Sequence, residues 1–172
     1  MSETLNVLKT RRSCRAYKPD PVEDEKLNAI IEAGTYAATG MGKQSPIILI
    51  VKDKALRDKL MKMNAAIMGM DIDPFYGAPE LLIVLADKAM PTYIYDGSLV
   101  MGNMMNAAAD LGVASCWVHR AKEEFESEEG RAILKDLGIE GDYEGIGHLI
   151  LGYAAKPLPD PKPRKANYVY RA

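Results

Sequence analysis

Four short apolar runs set the terms on which this chain can fold: Ile47 to Val51, Leu81 to Ala86, Val113 to Val118 and Ile146 to Leu151. Each has the length of a strand and is far too short to span a bilayer. The first two are unbroken and read as buried strands; Val113 to Val118 and Ile146 to Leu151, which include Ser115 and His148, read as a third and a fourth strand. Helical patterns separate the runs. A short helix is predicted over about Glu3 to Lys9, and a second from Glu23 to Ala38 with Leu27, Ile30, Ile31 and Ala38 on one face. Asp53 is placed to N-cap a third, which carries Leu56, Leu60, Met63 and Ile67 at helical spacing. A long helix from Ile94 to Leu111 ends at Gly112, and another from Ser127 to Leu137 ends at Gly138. The long one is rich in Gly, Ala and Met, which suits close packing at the centre of the molecule.

Strands alternating with helices point to an α+β or α/β sandwich with a covered sheet. The length of 172 residues suits a single domain over 1–172, with no internal repeat or low-complexity linker. From Pro157 the chain is proline-rich and reads as an extended arm. Tyr168, Val169 and Tyr170 alternate as in a strand that adds to a sheet edge. The bland alternative is a frayed terminus.

The formal net charge is only −2, which argues against nucleic acid or membrane as a partner. The total hides a pattern. Residues 1–18 carry five basic groups against Glu3 alone, and residues 156–172 carry five against Asp160 alone. The body between them is acidic. Cys14 and Cys116 have neither CxxC nor metal-ligand spacing, and His119 and His148 lack acidic or cysteine neighbours in a motif. No metal site is expected. Free thiols and an N-terminus without an apolar signal core fit the cytoplasm.

Two motifs invite a nucleotide reading and fail. Gly42-Lys43 lacks the P-loop glycine where Ala37 stands and the Ser or Thr where Gln44 stands. Gly40-Met41-Gly42 lacks the third glycine of a dinucleotide fingerprint, and a helix precedes it where a strand should.

The densest chemistry is Arg11-Arg12-Ser13-Cys14-Arg15. Three guanidinium forks and a hydroxyl suit phosphate oxygens. Taken by composition alone, the same stretch is a solvated basic surface. Thr10 to Tyr17 resembles the R-R-S-x-R-x-[FY] signature that opens the FMN-dependent nitroreductase family. Further blocks follow in order: Ala38 to Pro46, Phe75 to Ala86, Asp96 to Trp117 with Ser115-Cys116-Trp117, and Gly147 to Tyr153 followed by Lys162-Pro163-Arg164-Lys165. The resemblance covers nearly the whole chain. Two departures stand out. Gln44-Ser45-Pro46 replaces the family's Gln-Pro-Trp, and no inserted helical region covers the substrate pocket.

The resemblance implies a nitroreductase-like α/β/α sandwich, α+β in class. It has a central mixed sheet, an extended C-terminal arm, and a homodimer with FMN at the subunit interface. Arg11, Arg12, Ser13 and Arg15 would hold the phosphate and ribityl chain. Arg164, with Lys162 or Lys165, would close on the same phosphate from the arm. Thr39, Gly40 and Gln44 would reach the flavin from the other subunit. Asn64 would meet the polar edge of the ring, and the Trp117, Val118, His119 loop would lie by its reactive face. The implied activity is ping-pong hydride transfer from NAD(P)H through FMN to a nitroaromatic, a quinone or another small unsaturated acceptor. Reductive dehalogenation, flavin fragmentation and non-catalytic flavin binding are alternatives on the same fold.

Read from the residues, Cys116 is a buried inert thiol and His148 a satisfied core histidine. His119 is either a pocket group or a surface loop histidine. Trp117 is core or cofactor neighbour, its position favouring the latter.

Overall fold

The structure, a computed structural model, describes residues 2–172. Helices α1 (Glu3–Thr10) and α2 (Asp24–Thr35) lead to strand β1 (Pro46–Val51), helix α3 (Lys54–Met68) and strand β2 (Glu80–Asp87). Helix α4 (Tyr93–Asp110), strand β3 (Ala114–Val118), helices α5 (Ala121–Glu126) and α6 (Glu128–Asp136), and strand β4 (Tyr143–Gly152) complete the body. The predicted caps form. Asp53 accepts from the Leu56 N–H at 2.7 Å, and Ser127 from the Gly130 N–H at 2.9 Å. Gly112, with φ +72°, turns the chain out of α4. Two predicted details differ. Helix α2 stops at Thr35 rather than Ala38, and α5 was not foreseen.

The strands lie in the order β1-β2-β4-β3, every neighbouring pair antiparallel. The mixed sheet that was expected is thus antiparallel through its four strands. A parallel contact occurs at the isolated bridge between Ser13 and Ser115. The register explains why helix-separated strands end up this way. Strands β2 and β3 both start beside the end of β4, so they run in the same direction, with α4 as the crossover between them. The last strand, β4, then fills the gap and runs against both. On the other side, Val51 at the end of β1 pairs with Leu81 at the start of β2. Residues 69–79 therefore carry the chain back along the length of α3.

The side chains of the sheet divide by the period of two. Leu81, Ile83, Leu85, Cys116, Val118 and Ile150 join Leu60, Phe125, Ile133 and Leu134 in one core. Leu82, Val84, Leu149 and Leu151 join Leu27, Ile30, Met101, Met104 and Ala108 in the other. Helices α2 and α4 cover one face, and α3, α5 and α6 the other. This is the α/β/α sandwich that the apolar runs require. Gly147 of β4 is shaped by its neighbour: a Cβ there would lie 2.0 Å from Trp117 Nε1. Its bare backbone gives the indole its place against the sheet.

Past Tyr153 the chain leaves the body. Residues 155–172 are exposed and extended apart from one 3₁₀ turn at Ala166–Tyr168, and no added strand forms. Among the described residues no helix is long and apolar enough to cross a membrane.

Candidate functional site

The segment after α1 is stitched to β3. Ser13 bridges Ser115, the Cys14 N–H donates to the Ser115 carbonyl at 2.9 Å, and Tyr17 bridges Ala154. A cavity opens at each end of this seam. Arg11 and Arg15 are four residues apart, so the seam between them spans at most about 14 Å.

The first cavity, about 250 Å³, is lined by Thr10, Arg11, Arg12, Gly112, Ser115 and Leu158 among others. The Arg12 Nη1 donates to the Arg11 carbonyl at 2.5 Å. Arg11 Nη1, Arg12 Nε and Nη2, and the Ser115 Oγ are buried without a partner. Unpaired buried polar groups are costly, and cationic ones most of all. A phosphate has the charge and the acceptor oxygens to satisfy these guanidinium donors.

The second cavity, about 180 Å³, is walled by Arg15, Ile72, Tyr76, Trp117, His119 and Arg120, with Cys116 behind. The Trp117 and His119 rings stack with centroids 5.8 Å apart. Asn64, fully buried on α3, donates its Nδ2 to the His119 carbonyl at 2.8 Å and so pins this loop. Burial pushes the Cys116 thiol up, against the pull of Arg15. The group stays protonated at neutral pH and is no nucleophile.

The predicted residues therefore divide. Arg11 and Arg12 share the first cavity, while Arg15 lines the second beside Trp117, Val118 and His119. Val118 itself is buried in the core, so only its backbone is available to the cavity. Asn64 ties down the loop and lines neither cavity. Thr39 and Gln44 border a different cavity, with Ile31 and Val100. Lys162, Arg164 and Lys165 stand in the exposed arm; Arg164 Nη2 donates to the Lys162 carbonyl at 2.5 Å, and Lys165 sits 5.3 Å over the Tyr168 ring. Within one chain, of the arm only Leu158 lines the first cavity.

Sequence reasoning passed over two residues that hold the site's surroundings. Asp96, at the start of α4, accepts from the Gly40 N–H at 2.9 Å, Ser45 Oγ at 2.8 Å and Thr92 Oγ1 at 3.0 Å. It thereby shapes the Thr39–Ser45 loop. Burial works against its charge, but these three bonds outweigh burial and hold the carboxyl below its ordinary 3.8. The available signal was a carboxylate in the first turn of an apolar, small-residue helix. Because its folded-state pKa is depressed, Asp96 stabilises the fold fully above the ordinary value and loses that effect as pH falls below it. Asp96→Ala is expected to cost about 2–4 kcal/mol at neutral pH, read by urea denaturation. The difference between variant and parent should shrink on acidification towards pH 3.

The second missed residue is Glu124 of α5. Its Oε2 meets His148 Nε2 at 2.8 Å, with both side chains fully buried. The expectation of a satisfied core histidine is half met: Nε2 is paired, while His148 Nδ1 has no partner.

A cationic cradle and a ring-walled cavity lie along one strand seam of an α/β/α sandwich, and they define an α+β protein with unpaired donors at one end of the seam and aromatic walls at the other. The chain belongs to the nitroreductase family, whose model matches residues 8–70 and 70–153. A relative from Archaeoglobus fulgidus, provisionally named NADH dehydrogenase/NAD(P)H nitroreductase, is 30% identical over 158 residues, 89% of this chain and 86% of that protein. The crystal structure of a nitroreductase with bound FMN from Bacteroides fragilis superposes with a TM-score of 0.90 at 30% identity, covering 100% of both chains. Another with bound FMN, from Desulfitobacterium hafniense, gives 0.88 at 29% identity, again covering 100% of both.

Proposed function

We propose that this protein is an FMN-dependent oxidoreductase that takes electrons from NAD(P)H and delivers them to a small unsaturated acceptor such as a nitroaromatic or a quinone. The observation that carries the reading is the set of unpaired, buried guanidinium N–H groups of Arg11 and Arg12 at one end of the seam, with an aromatic-walled cavity at the other. FMN would supply the redox chemistry through its ring, which the side chains here do not provide. Arg11 and Arg12, with Ser13, hold the phosphate. Arg15 takes the ring end, where its charge stabilises negative charge that builds up on reduction. Trp117 and His119 wall the ring cavity, the Val118 backbone lies beside them, and Asn64 holds the loop in place.

The same reading treats 1–172 as one FMN-binding domain, working as a cytoplasmic homodimer. Free, buried Cys14 and Cys116 support a reducing compartment. Exposed Leu5 and Leu8 on α1, Ile94, Tyr95 and Leu99 on α4, and Tyr168 to Tyr170 on the arm support a second copy as the cover for these faces. In the dimer, Thr39, Gly40 and Gln44 reach the partner's site, and Arg164 with Lys162 or Lys165 closes on a phosphate. Sedimentation should give twice the chain mass.

The deciding experiment is purification followed by a visible spectrum, then NADH and NADPH oxidation with a nitroaromatic and with a quinone. A yellow protein that turns over with either donor is expected. A colourless protein that cannot be loaded with FMN would overturn the reading.

A further inference from the structure

Four non-glycine residues have left-handed backbone: Met41, Gln44, Tyr76 and Arg120. Two of them, Tyr76 at φ +52° and Arg120 at φ +79°, line the ring-end cavity. This region disfavours side chains with a Cβ, and glycine, asparagine and aspartate are the residues that enter it routinely. Arginine at such a point works against the fold locally. Such conformations persist where the surroundings over-determine them, and they cluster at functional sites. Here the surroundings do so. The Arg120 carbonyl accepts from the Glu124 N–H at 3.0 Å, and the Glu124 carboxylate is locked to His148.

The guanidinium held in this way has no ion pair or hydrogen bond among the described residues. Arg15, on the same cavity, likewise has no carboxylate partner. His119 adds a third nitrogen-bearing group, and no Asp or Glu lines the cavity. The rest of the wall is apolar or aromatic, including Ile72, Tyr76 and Trp117. A small pocket with two unpaired cations and aromatic walls, in a chain whose body is acidic, is complementary to a flat molecule that carries an anionic group. The proposed cofactor does not account for all of this charge: Arg11 and Arg12 supply the donors to its phosphate and Arg15 faces its ring, which leaves Arg120.

Resting on the flavin reading of this site, we propose that Arg120 is a specificity-determining residue. It binds the carboxylate of an aromatic acceptor whose ring lies against the flavin at the mouth of this cavity, so the preferred acceptors are aromatic acids rather than neutral aromatics. An anionic group on the nicotinamide donor offers similar chemistry, and comparison of the two donors separates the sources.

The test compares 4-nitrobenzoate with nitrobenzene as acceptors, using the FMN-loaded parent, Arg120→Gly and Arg120→Lys. Arg120→Gly removes both the guanidinium and the disfavoured Cβ. It is expected to keep its FMN and to unfold at the same or a higher temperature. Its kcat/KM ratio for nitrobenzoate over nitrobenzene should fall by about 10- to 100-fold, mostly through KM. Benzoate, titrated by its effect on the flavin absorption spectrum, should bind more weakly by the same factor. Arg120→Lys should restore part of the ratio. An unchanged ratio in a yellow, active variant overturns the proposal. So does a change confined to NADPH against NADH. A colourless parent would instead overturn the flavin reading, and this inference with it.

Discussion

Alanine at both Arg11 and Arg12 is expected to weaken FMN binding several hundred-fold while changing riboflavin binding by no more than a few-fold. The two side chains bring three buried guanidinium N–H groups to the first cavity without a protein acceptor. Charge-assisted hydrogen bonds contribute about 1.5–3 kcal/mol each and do not add fully, so about 3–4 kcal/mol is a sound expectation for the set. Riboflavin lacks the phosphate and keeps the ring, so it reports the second cavity alone. The effect on the apoprotein should differ from the effect on the complex. Removing unpaired buried donors relieves a desolvation cost that offsets the lost bond from Arg12 Nη1 to the Arg11 carbonyl, so the ligand-free variant should stay close to the parent in stability. Saturating FMN should raise the melting temperature of the parent far more than that of the variant. Flavin fluorescence titrations with both ligands decide the matter. Equal losses for FMN and riboflavin would sink the phosphate assignment.

Glu124→Ala should cost about 3–5 kcal/mol in unfolding free energy, because it opens a cavity and leaves a fully buried imidazole with neither nitrogen partnered. His148 stands in the central strand β4, its ring 5.2 Å from Phe75, with no solvent to take over from the lost carboxylate. Leucine at both positions should recover much of the loss, because an apolar replacement of a buried pair is often neutral. The structural effect should also reach the site. Only His119 and Arg120 separate α5 from β3, the strand that carries Trp117, and the pair anchors α5 to the sheet. The fluorescence of Trp117, the protein's single tryptophan, should therefore shift in Glu124→Ala and return towards the parent in the double variant. Urea denaturation gives the energies. A single variant within 1 kcal/mol of the parent would show that the pair is dispensable.

The covered sheet and its flanking helices were legible because burial on both faces leaves unbroken apolar runs, and Asp53, Ser127 and Gly112 mark helix ends by local chemistry. Strand direction was not legible. The apolar runs read alike either way, and it took the return of residues 69–79 and the late insertion of β4 to make each pair antiparallel. Helix α5 escaped because Ala121 to Glu126 is too short to show a period, and Glu124 looks like one more surface acid beside Glu123 and Glu126. At the site, the arginine cluster was visible as a cluster, but its division was not. Arg11 and Arg12 part from Arg15 only because Ser13 pairs with Ser115, a contact between distant segments that no local pattern announces. Asn64 is placed at the ring by resemblance; in the fold its Nδ2 donates to the His119 carbonyl and its buried Oδ1 has no partner, neither of which a local pattern announces.

That same Ser13–Ser115 bridge has a consequence for how the chain is made. Translation delivers Arg11 to Arg15 roughly 100 residues before β3, a delay of about 5–20 s at ordinary elongation rates. Throughout that interval the cationic segment has no sheet to lie against. The proposed phosphate anchor is thus the first part of the site to be synthesised and among the last to be assembled.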